Sequence, residues 1–236
     1  MENSIYLVAV AAGRGVRMGS DIPKQFMELA GRPILQRTLE KFVEACPGIR
    51  IVTVLPEDYI PIWKEFCYSR NFDCQQTLVK GGMTRFHSVK NALEKIPDGA
   101  IVAVHDGVRP LLSVEMIRRM LGMMERCRAV VPVTPSYDTL KVLEKDRDTE
   151  ELVQVEGATA DRSIIYGVQT PQIFHIEDLR RGYSLPFDMD FTDDSSVLSA
   201  AGVPITWCEG ERLNLKVTSP EDLVLAEAII KATSGK

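Results

Sequence analysis

A loop of small residues interrupted by arginines follows the first apolar run of the sequence. It reads Ala11-Ala12-Gly13-Arg14-Gly15-Val16-Arg17-Met18-Gly19, and Lys24 comes shortly after it. Small residues let backbone N–H groups approach a phosphate, and the cations add charge that favours a triphosphate. The loop lacks the P-loop pattern, and its third glycine comes one residue too late for the dinucleotide fingerprint. It therefore predicts triphosphate binding, with a tight turn carrying solvated basic side chains as the alternative.

A carboxylate and a guanidinium follow another apolar run, in Asp106-Gly107-Val108-Arg109-Pro110. Ligands of open α/β sheets bind beyond the carboxyl ends of the strands, so we expect these residues at the same sheet edge as the first loop. Magnesium is held by one or two carboxylates together with phosphate oxygens of the substrate. Asp106 is therefore a candidate Mg²⁺ ligand. The alternative is that Asp106 pairs with Arg109 and shapes a turn.

Four more polar segments occur where strands, helices and turns are expected to meet. Gly81 and Gly82 come between a strand and a helix, whose N-terminus offers backbone donors to an anion. The other three segments are Asp161-Arg162, Gln169-Thr170-Pro171-Gln172 and Asn214-Leu215-Lys216-Val217-Thr218. Turn or cap chemistry would explain each of them separately.

Short β-branched runs alternate with segments of helical period, which is typical of an α/β fold with a parallel sheet covered by helices on both faces. Strands are predicted at residues 5–10, 49–55, 75–79, 100–105 and 129–133. Four helices with apolar residues at spacings of three and four lie between them. A fifth helix begins at Ser219, which can cap it, with Pro220 at its first position.

One stretch breaks this alternation, from Ser136 to Gly157. It is crowded with charged residues, yet it contains alternating pieces at 139–143 and 152–155. Such pieces predict a hairpin that projects from a single domain spanning residues 1–236. An arm of this kind has little to pack against alone, and pairing with a second copy of the chain would cover it. The sequence therefore predicts an inserted β-arm, at 136–157, for dimerisation.

The composition limits the functions that such a fold could have. The chain has 236 residues, 45% of them hydrophobic, and a formal charge of −5. Net negative charge disfavours a protein that grips a nucleic acid backbone. No stretch approaches the roughly 20 apolar residues of a membrane span, no secretory leader is recognisable, and the cysteines lack metal-ligand spacing. We expect a cytoplasmic protein with neither nucleic acid nor membrane partners.

The motifs follow one another in a characteristic order over nearly the whole chain. They are AAGxGxRM, PKQ, GGxxRxxSV, HDxxRP, DTxK, DR followed by QTPQ, TDD and KVTxPEDL. In this order they resemble cytidylyltransferase-type nucleotidyltransferases, most closely the 2-C-methyl-D-erythritol 4-phosphate cytidylyltransferase family of non-mevalonate isoprenoid biosynthesis. The resemblance implies a Rossmann-like sheet with a β-arm exchanged across a homodimer. It also implies Mg²⁺-dependent transfer of CMP from CTP to the polyol phosphate, giving 4-diphosphocytidyl-2-C-methyl-D-erythritol and pyrophosphate.

The resemblance also assigns roles to individual residues. The positions of the nucleotide-binding loop are Ala11, Ala12, Gly13 and Gly15. The pair that contacts the triphosphate and stabilises the transition state is Arg17 and Lys24. The positions near cytosine, and near ribose and metal, are Gly82, Ser88 and Asp106. Those that hold the acceptor or the transferred group are Arg109, Thr139, Arg162, Thr170 and Lys216, with Thr139 contributed by the arm of the partner subunit.

Two positions depart from the family pattern. Met83 stands where the family often has an acidic residue after the two glycines, and Gly107-Val108 replaces a frequent Ala-Ala. If the base meets only the backbone of Met83, little is lost by the first change.

The chemistry of such a transfer fits the residues present. A phosphate monoester, with a second pKa of about 6, is already an anionic nucleophile near neutral pH and needs no general base. The three histidines form no catalytic constellation, and GxSxG is missing. Positive charge is required at the α-phosphate and on the leaving pyrophosphate, where Arg17, Lys24, Lys216 and Mg²⁺ would supply it.

Three alternatives remain open. A ribitol 5-phosphate cytidylyltransferase shares the fold and several motifs, although Ala11-Ala12-Gly13 and Asp161-Arg162 favour methylerythritol phosphate. A nicotinamide-dependent oxidoreductase fits the general fold but is opposed by the late glycine and by Arg17. A nucleotide-sensing module without catalysis is opposed by the combination of Lys24 with Asp106 and Lys216.

Overall fold

Buried apolar runs form the strands at the centre of one large sheet. The computed structural model describes residues 4–13 and 22–233. In that part of the chain the strands are β1 (Ile5–Val10), β2 (Glu28–Leu29), β3 (Arg32–Pro33), β4 (Arg50–Leu55), β5 (Gln76–Lys80), β6 (Ile101–Asp106), β7 (Ala129–Pro135), β8 (Leu143–Lys145), β9 (Leu152–Gln154), β10 (Tyr166–Val168), β11 (Gln172–His175) and β12 (Thr206–Glu209). The five strands expected from the sequence are present, with bounds that differ by at most two residues.

The large sheet has the order β10-β7-β11-β6-β1-β4-β5, and β12 also pairs with β7. β6, β1, β4 and β5 are parallel neighbours, so their carboxyl ends lie along one edge. The expectation of a wholly parallel sheet is wrong for β10 and β11, which run antiparallel to β7. A parallel return requires a crossover, usually a helix, whereas the chain between β7 and β10 forms the arm.

Helices cover both faces of the sheet, as expected. They are α1 (Ile34–Ala45), α2 (Ile60–Ser69), α3 (Arg85–Leu93), α4 (Val114–Met123), α5 (Ile176–Tyr183), α6 (Asp194–Ala200) and α7 (Pro220–Thr233). One core layer contains Phe42 of α1, Trp63 of α2 and Ile117 of α4. The other contains residues of α3, α5 and α6, and α7 packs in a smaller cluster that includes β2. The α/β fold with helices on both faces is therefore confirmed, and the sequence interpretation missed α5 and α6.

The arm leaves the sheet as a hairpin whose strand residues are all exposed. β8 and β9 pair antiparallel, with Leu143 opposite Gln154. β9 falls within the alternating piece at 152–155, whereas β8 begins at the end of the piece at 139–143 and shares only Leu143 with it. The backbone N–H of Ser136 donates to the carbonyl of Ile165 at 3.2 Å. This contact closes the base of the projecting segment, which is therefore longer than the predicted stretch 136–157 and extends to residue 165.

None of the helices in the described ranges combines the length and the apolar character needed to cross a membrane.

Candidate active site

A cavity of about 520 Å³ opens at the carboxyl ends of the parallel strands. Its wall combines the end of β1, the β5–α3 turn, the end of β6 and the loop that precedes α7. Eight of the residues singled out from the sequence line it: Ala11, Ala12, Gly13, Lys24, Gly82, Ser88, Asp106 and Lys216. The expectation that these separate motifs meet at one sheet edge is met by the geometry. Gly15 and Arg17 lie outside the described residues.

Asp106 lies at the centre of a group of cations. Its Oδ2 is 3.0 Å from Lys216 Nζ and 3.2 Å from Arg109 Nε, and its Oδ1 is 3.6 Å from Arg85 Nε. Burial acts to raise the pKa of Asp106, but Arg85, Lys216 and Arg109 outweigh burial and hold the pKa well below its usual range. The carboxylate is therefore ionised and holds Lys216 at the cavity wall. The Asp106–Arg109 pair considered as the alternative exists alongside this arrangement.

Asp106 also has the chemistry of a single-carboxylate magnesium ligand. Arg109 and Lys216 occupy Oδ2, whereas the nearest ion-pair partner of Oδ1 is beyond hydrogen-bond length. Within the described ranges no group of three or more His, Cys, Asp or Glu side chains could hold a metal alone. The residues thus fit an ion that takes most of its ligands from substrate phosphates, as Mg²⁺ commonly does.

The β5–α3 turn is built around glycines that touch neighbouring residues. A Cβ on Gly81 would lie 2.4 Å from the Cβ of Ala12, and a Cβ on Gly82 would lie 2.4 Å from that of His87. The backbone N–H of Gly82 donates to Ser88 Oγ at 3.0 Å, and this hydroxyl donates to the carbonyl of Thr84 at 2.9 Å. Ser88 therefore shapes the turn, whatever contact it makes with a base. Met83 projects from the rim with 95% of its surface exposed.

Gln25, which the sequence interpretation left without a role, binds the first described residues after β1. Its buried side chain donates to the carbonyls of Ala11 at 2.7 Å and Gly13 at 3.3 Å. Lys24 precedes it at the start of a short 3-10 helix, Lys24–Phe26. The PKQ motif thus combines a lysine at the cavity with a glutamine that holds the backbone at Ala11 and Gly13.

Arg109 and Thr170 lie behind the cavity rather than in its wall. The hydroxyl of Thr170 accepts a hydrogen bond from the backbone N–H of Asp106 at 3.1 Å. Asn214 donates to the carbonyl of Thr170 at 2.8 Å, and its own carbonyl accepts from Arg109 Nη1 at 2.8 Å. These contacts join the QTPQ segment to the loop that carries Lys216. Within one chain, Arg109 therefore pairs with the carboxylate of Asp106, and Thr170 binds its backbone N–H.

Gln169 and Gln172 are further positioning groups that the sequence interpretation did not identify. The Gln169 side chain accepts from the backbone N–H of Glu211 at 3.1 Å and donates to the backbone carbonyl of Glu211 at 2.8 Å. Gln172 donates to Asp193 Oδ2 at 2.7 Å, and Asp193 caps α6. The two glutamines therefore hold the Lys216 loop and the start of α6 against the sheet edge.

Thr139 and Arg162 lie on the exposed arm, and neither lines the cavity of its own chain. Arg162 Nη1 donates to the carbonyl of Tyr137 at 3.4 Å. Asp161 accepts from the backbone and the hydroxyl of Ser163, rather than from Arg162. The simple Asp161–Arg162 surface pair considered from the sequence is thus replaced by two local contacts. One chain brings the nucleotide-side residues together and leaves these two apart.

Comparisons with known proteins agree with this geometry. A family model described as 2-C-methyl-D-erythritol 4-phosphate cytidylyltransferase matches residues 5–232. A relative of that name from Bacteroides thetaiotaomicron is 41% identical over 224 residues, covering 95% of this chain and 98% of its own. Another, from Porphyromonas gingivalis strain W83, is 42% identical over 231 residues, covering 98% and 99%.

Solved structures lead to the same group. The crystal structure of 2-C-methyl-D-erythritol 4-phosphate cytidylyltransferase from Thermus thermophilus has a TM-score of 0.73 at 32% identity, covering 98% of this chain and 100% of that one. A 4-diphosphocytidyl-2C-methyl-D-erythritol synthase from Anaerococcus prevotii has a TM-score of 0.77 at 27% identity, covering 97% and 99%. Since the ordered motifs, the cavity and the full-length matches agree, the chain belongs to the 2-C-methyl-D-erythritol 4-phosphate cytidylyltransferase family.

Proposed function

We propose that this chain transfers CMP from CTP to 2-C-methyl-D-erythritol 4-phosphate, releasing pyrophosphate and forming 4-diphosphocytidyl-2-C-methyl-D-erythritol. The observation that supports this proposal most directly is the contact of Asp106 with Lys216, Arg109 and Arg85 beside the glycine-containing turn. This arrangement offers positive charge to an anionic substrate. Family membership favours this acceptor over ribitol 5-phosphate, the nearest alternative.

The transfer is an exchange of one phosphate bond for another. An acceptor phosphate oxygen forms a bond to the α-phosphorus of CTP, and the bond from that phosphorus to the bridging oxygen of the pyrophosphate breaks. The residues proposed to stabilise the extra charge are Arg17, Lys24 and Lys216. Because Asp106 already holds Lys216, its ammonium group needs little reorganisation as charge develops.

No side chain is required to remove a proton in this scheme. His105, the histidine nearest to Asp106 in sequence, is completely buried and packs against Phe42. Burial lowers its pKa to about 3, so it is neutral at physiological pH. Its Nε2 is 3.4 Å from the carbonyl oxygen of Arg109. His105 therefore supports the turn that carries Arg109 and does not face the substrate.

We further propose that Mg²⁺ binds with the triphosphate and that Asp106 is its protein ligand. The less crowded Oδ1 supports this assignment. When bound, the ion would neutralise phosphate charge and orient the leaving group. The cations around Asp106 would then act on the oxygens that the metal does not contact.

The acceptor side of the site is proposed to need a second chain. Thr139 and Arg162 are exposed on the arm and are separate from the cavity of their own chain. The exposed side chains of Leu143 and Leu152 on the same arm favour an apolar contact with another copy. In a homodimer, the arm of one protomer would then complete the acceptor pocket of the other.

We place the reaction in the cytoplasm. All five cysteines carry free thiols, as a reducing compartment favours. Cell fractionation with an antibody to the chain would test this location.

Pyrophosphate release tests the proposed reaction. CTP with methylerythritol phosphate and Mg²⁺ is expected to give product, whereas ribitol 5-phosphate in place of the acceptor is not. A preference for ATP or UTP would contradict the base assignment. Full activity in excess EDTA would contradict the role of the metal without affecting the proposed transfer.

A further inference from the structure

Arg85 belongs to the GGxxRxxSV motif, and Asp106 is the more distant of the two carboxylates beside it. Its Nη1 and Nη2 form two hydrogen bonds to the carboxylate of Asp194, at 2.9 and 2.6 Å. Asp194 is completely buried, and it also accepts a hydrogen bond from the hydroxyl of Tyr183 at 2.5 Å. The fork of the guanidinium is therefore fixed by a buried carboxylate at the start of α6.

The other side of the same guanidinium faces the cavity. Arg85 lines its wall, and its Nε is 3.6 Å from Asp106 Oδ1. That distance allows a charge interaction but is longer than a hydrogen bond. Arg85 thus lies between two carboxylates, bonded to Asp194 and only close to Asp106.

The identity of the bonded carboxylate affects Lys216. If Asp194 were replaced by a neutral residue, Asp106 would be the nearest carboxylate to Arg85 among the contacts of this cluster. A guanidinium that moved to Asp106 would compete there with Lys216, whose Nζ is 3.0 Å from Oδ2. If Arg85 alone were replaced by a neutral residue, Asp194 would be buried without a counter-charge, which is strongly destabilising.

We propose that Arg85 is a positioning residue for the transfer reaction and that Asp194 holds it in place. While it is hydrogen-bonded to Asp194, Arg85 contributes positive charge near Oδ1 of Asp106 and leaves Oδ2 to Lys216. The inference rests on the proposed function, because it explains how the lysine at the α-phosphate is oriented. It also assigns a role to the second aspartate of the TDD motif.

A second Arg–Asp pair in the chain provides a matched control. Arg128 donates to the buried Asp178 through two hydrogen bonds, at 2.9 and 2.7 Å. It lies near Ile5 and Ile101, at the amino ends of β1 and β6, and therefore at the opposite edge of the sheet from Asp106. This pair has the same two-hydrogen-bond geometry on a more exposed arginine, and it has no contact with the cavity.

The test compares unfolding midpoints and steady-state kinetics for Asp194→Asn, the double variant Arg85→Gln/Asp194→Asn, and the control Arg128→Gln/Asp178→Asn. Asp194→Asn is expected to lower both the midpoint and kcat, because it removes the buried counter-charge that holds the guanidinium of Arg85 through two hydrogen bonds. The double variant is expected to regain most of the midpoint, while kcat stays at least about tenfold below that of the unchanged chain. The control is expected to keep kcat within about twofold.

Recovery of kcat together with the midpoint in the double variant would overturn the inference, since a purely structural pair predicts that result. If the double variant does not fold, Arg85→Lys still tests the inference. It retains charge without the fork, and it is expected to lower kcat about fivefold or more with KM for CTP within about threefold. An unchanged kcat would also overturn the inference. Transfer from CTP by the unchanged chain is measured first, so failure of the proposed function is seen separately.

Discussion

The cavity edge and the arm carry the two sets of side chains that we propose act in one reaction, and the two regions are built differently. At the cavity edge, the side chain of Asp106 is 9% exposed and has three cationic neighbours. On the arm, both strands of the hairpin are exposed, and Arg162 donates a long hydrogen bond to the carbonyl of Tyr137. A single chain therefore prearranges the charged cavity edge, whereas Thr139 and Arg162 on the arm do not line that cavity.

This difference has a physical cause. Buried charges require partners, so Arg85, Arg109 and Lys216 are each held close to a carboxylate. Exposed side chains of the arm are satisfied by water and need no such partner. The arm can thus accept a new surface with little rearrangement, whereas changes at the cavity edge disturb several contacts together.

Removal of the arm is expected to have the largest effect. Replacing residues 138–163 with a short glycine–serine linker should abolish both dimerisation and turnover. The main sheet should survive, because Ser136 and Ile165 already lie within hydrogen-bond distance. Sedimentation velocity, far-UV circular dichroism and pyrophosphate release measure the three results. An active monomer would contradict the proposed need for a second chain.

At the cavity edge, Lys24→Ala is expected to lower kcat about a hundredfold to a thousandfold, the usual scale for losing one transition-state donor. The matched control is Lys231→Ala, which removes an exposed lysine that pairs with Glu227 on α7. That variant should retain normal kinetics. A change confined to KM in Lys24→Ala would show that this lysine binds substrate without stabilising the transition state.

On the arm, Arg162→Lys is expected to act on one substrate only. A guanidinium can hold two phosphate oxygens at once and an ammonium cannot, so KM for methylerythritol phosphate should rise about tenfold. KM for CTP should remain nearly constant, since the nucleotide is proposed to bind at the glycine turn, away from the arm. Arg147→Lys, an exposed substitution on the same arm, serves as the control. Equal effects on both substrates, or none, would remove Arg162 from the acceptor site.

The last prediction concerns how the free energy of unfolding depends on pH, which leaves turnover aside. His105 is neutral in the folded chain because burial lowers its pKa to about 3. Below about pH 6.5 the unfolded chain binds a proton that the folded chain does not, so stability falls with falling pH until the folded pKa is reached. His105→Gln should reduce the slope of the free energy of unfolding against pH by up to about 1.4 kcal/mol per pH unit between pH 6 and 4. Urea unfolding measures it, and an identical pH dependence in both chains would contradict the neutral state of His105.

The sequence predicted the strands of the parallel region closely because their burial on both faces leaves continuous apolar runs. It missed α5 and α6, which are short, although the cap at Asp193 and the spacing of Ile176, Leu179 and Tyr183 are helical signals. It also missed the direction of β11, which depends on the chain forming an arm instead of a crossover helix.

The candidate site was predictable where motifs end a strand, as at Asp106, because the fold class alone places such ends together. The supporting contacts of Gln25 and Gln169 were not predictable in the same way. Each joins segments that are distant in sequence, and a glutamine carries no local pattern that reveals its partner. Arg85 was quoted within a motif, yet its pairing with Asp194, 109 positions later, appears only in the folded chain.

Mixing two inactive variants tests most directly whether the arm of one chain completes the cavity of another. One variant carries Lys24→Ala, and the other carries Thr139→Ala with Arg162→Ala. After joint unfolding and refolding, half of the dimers should be mixed, each with one intact site, so activity should return to about a quarter of that of the unchanged protein. Activity that stays at the level of the separate variants would contradict a site shared between two chains.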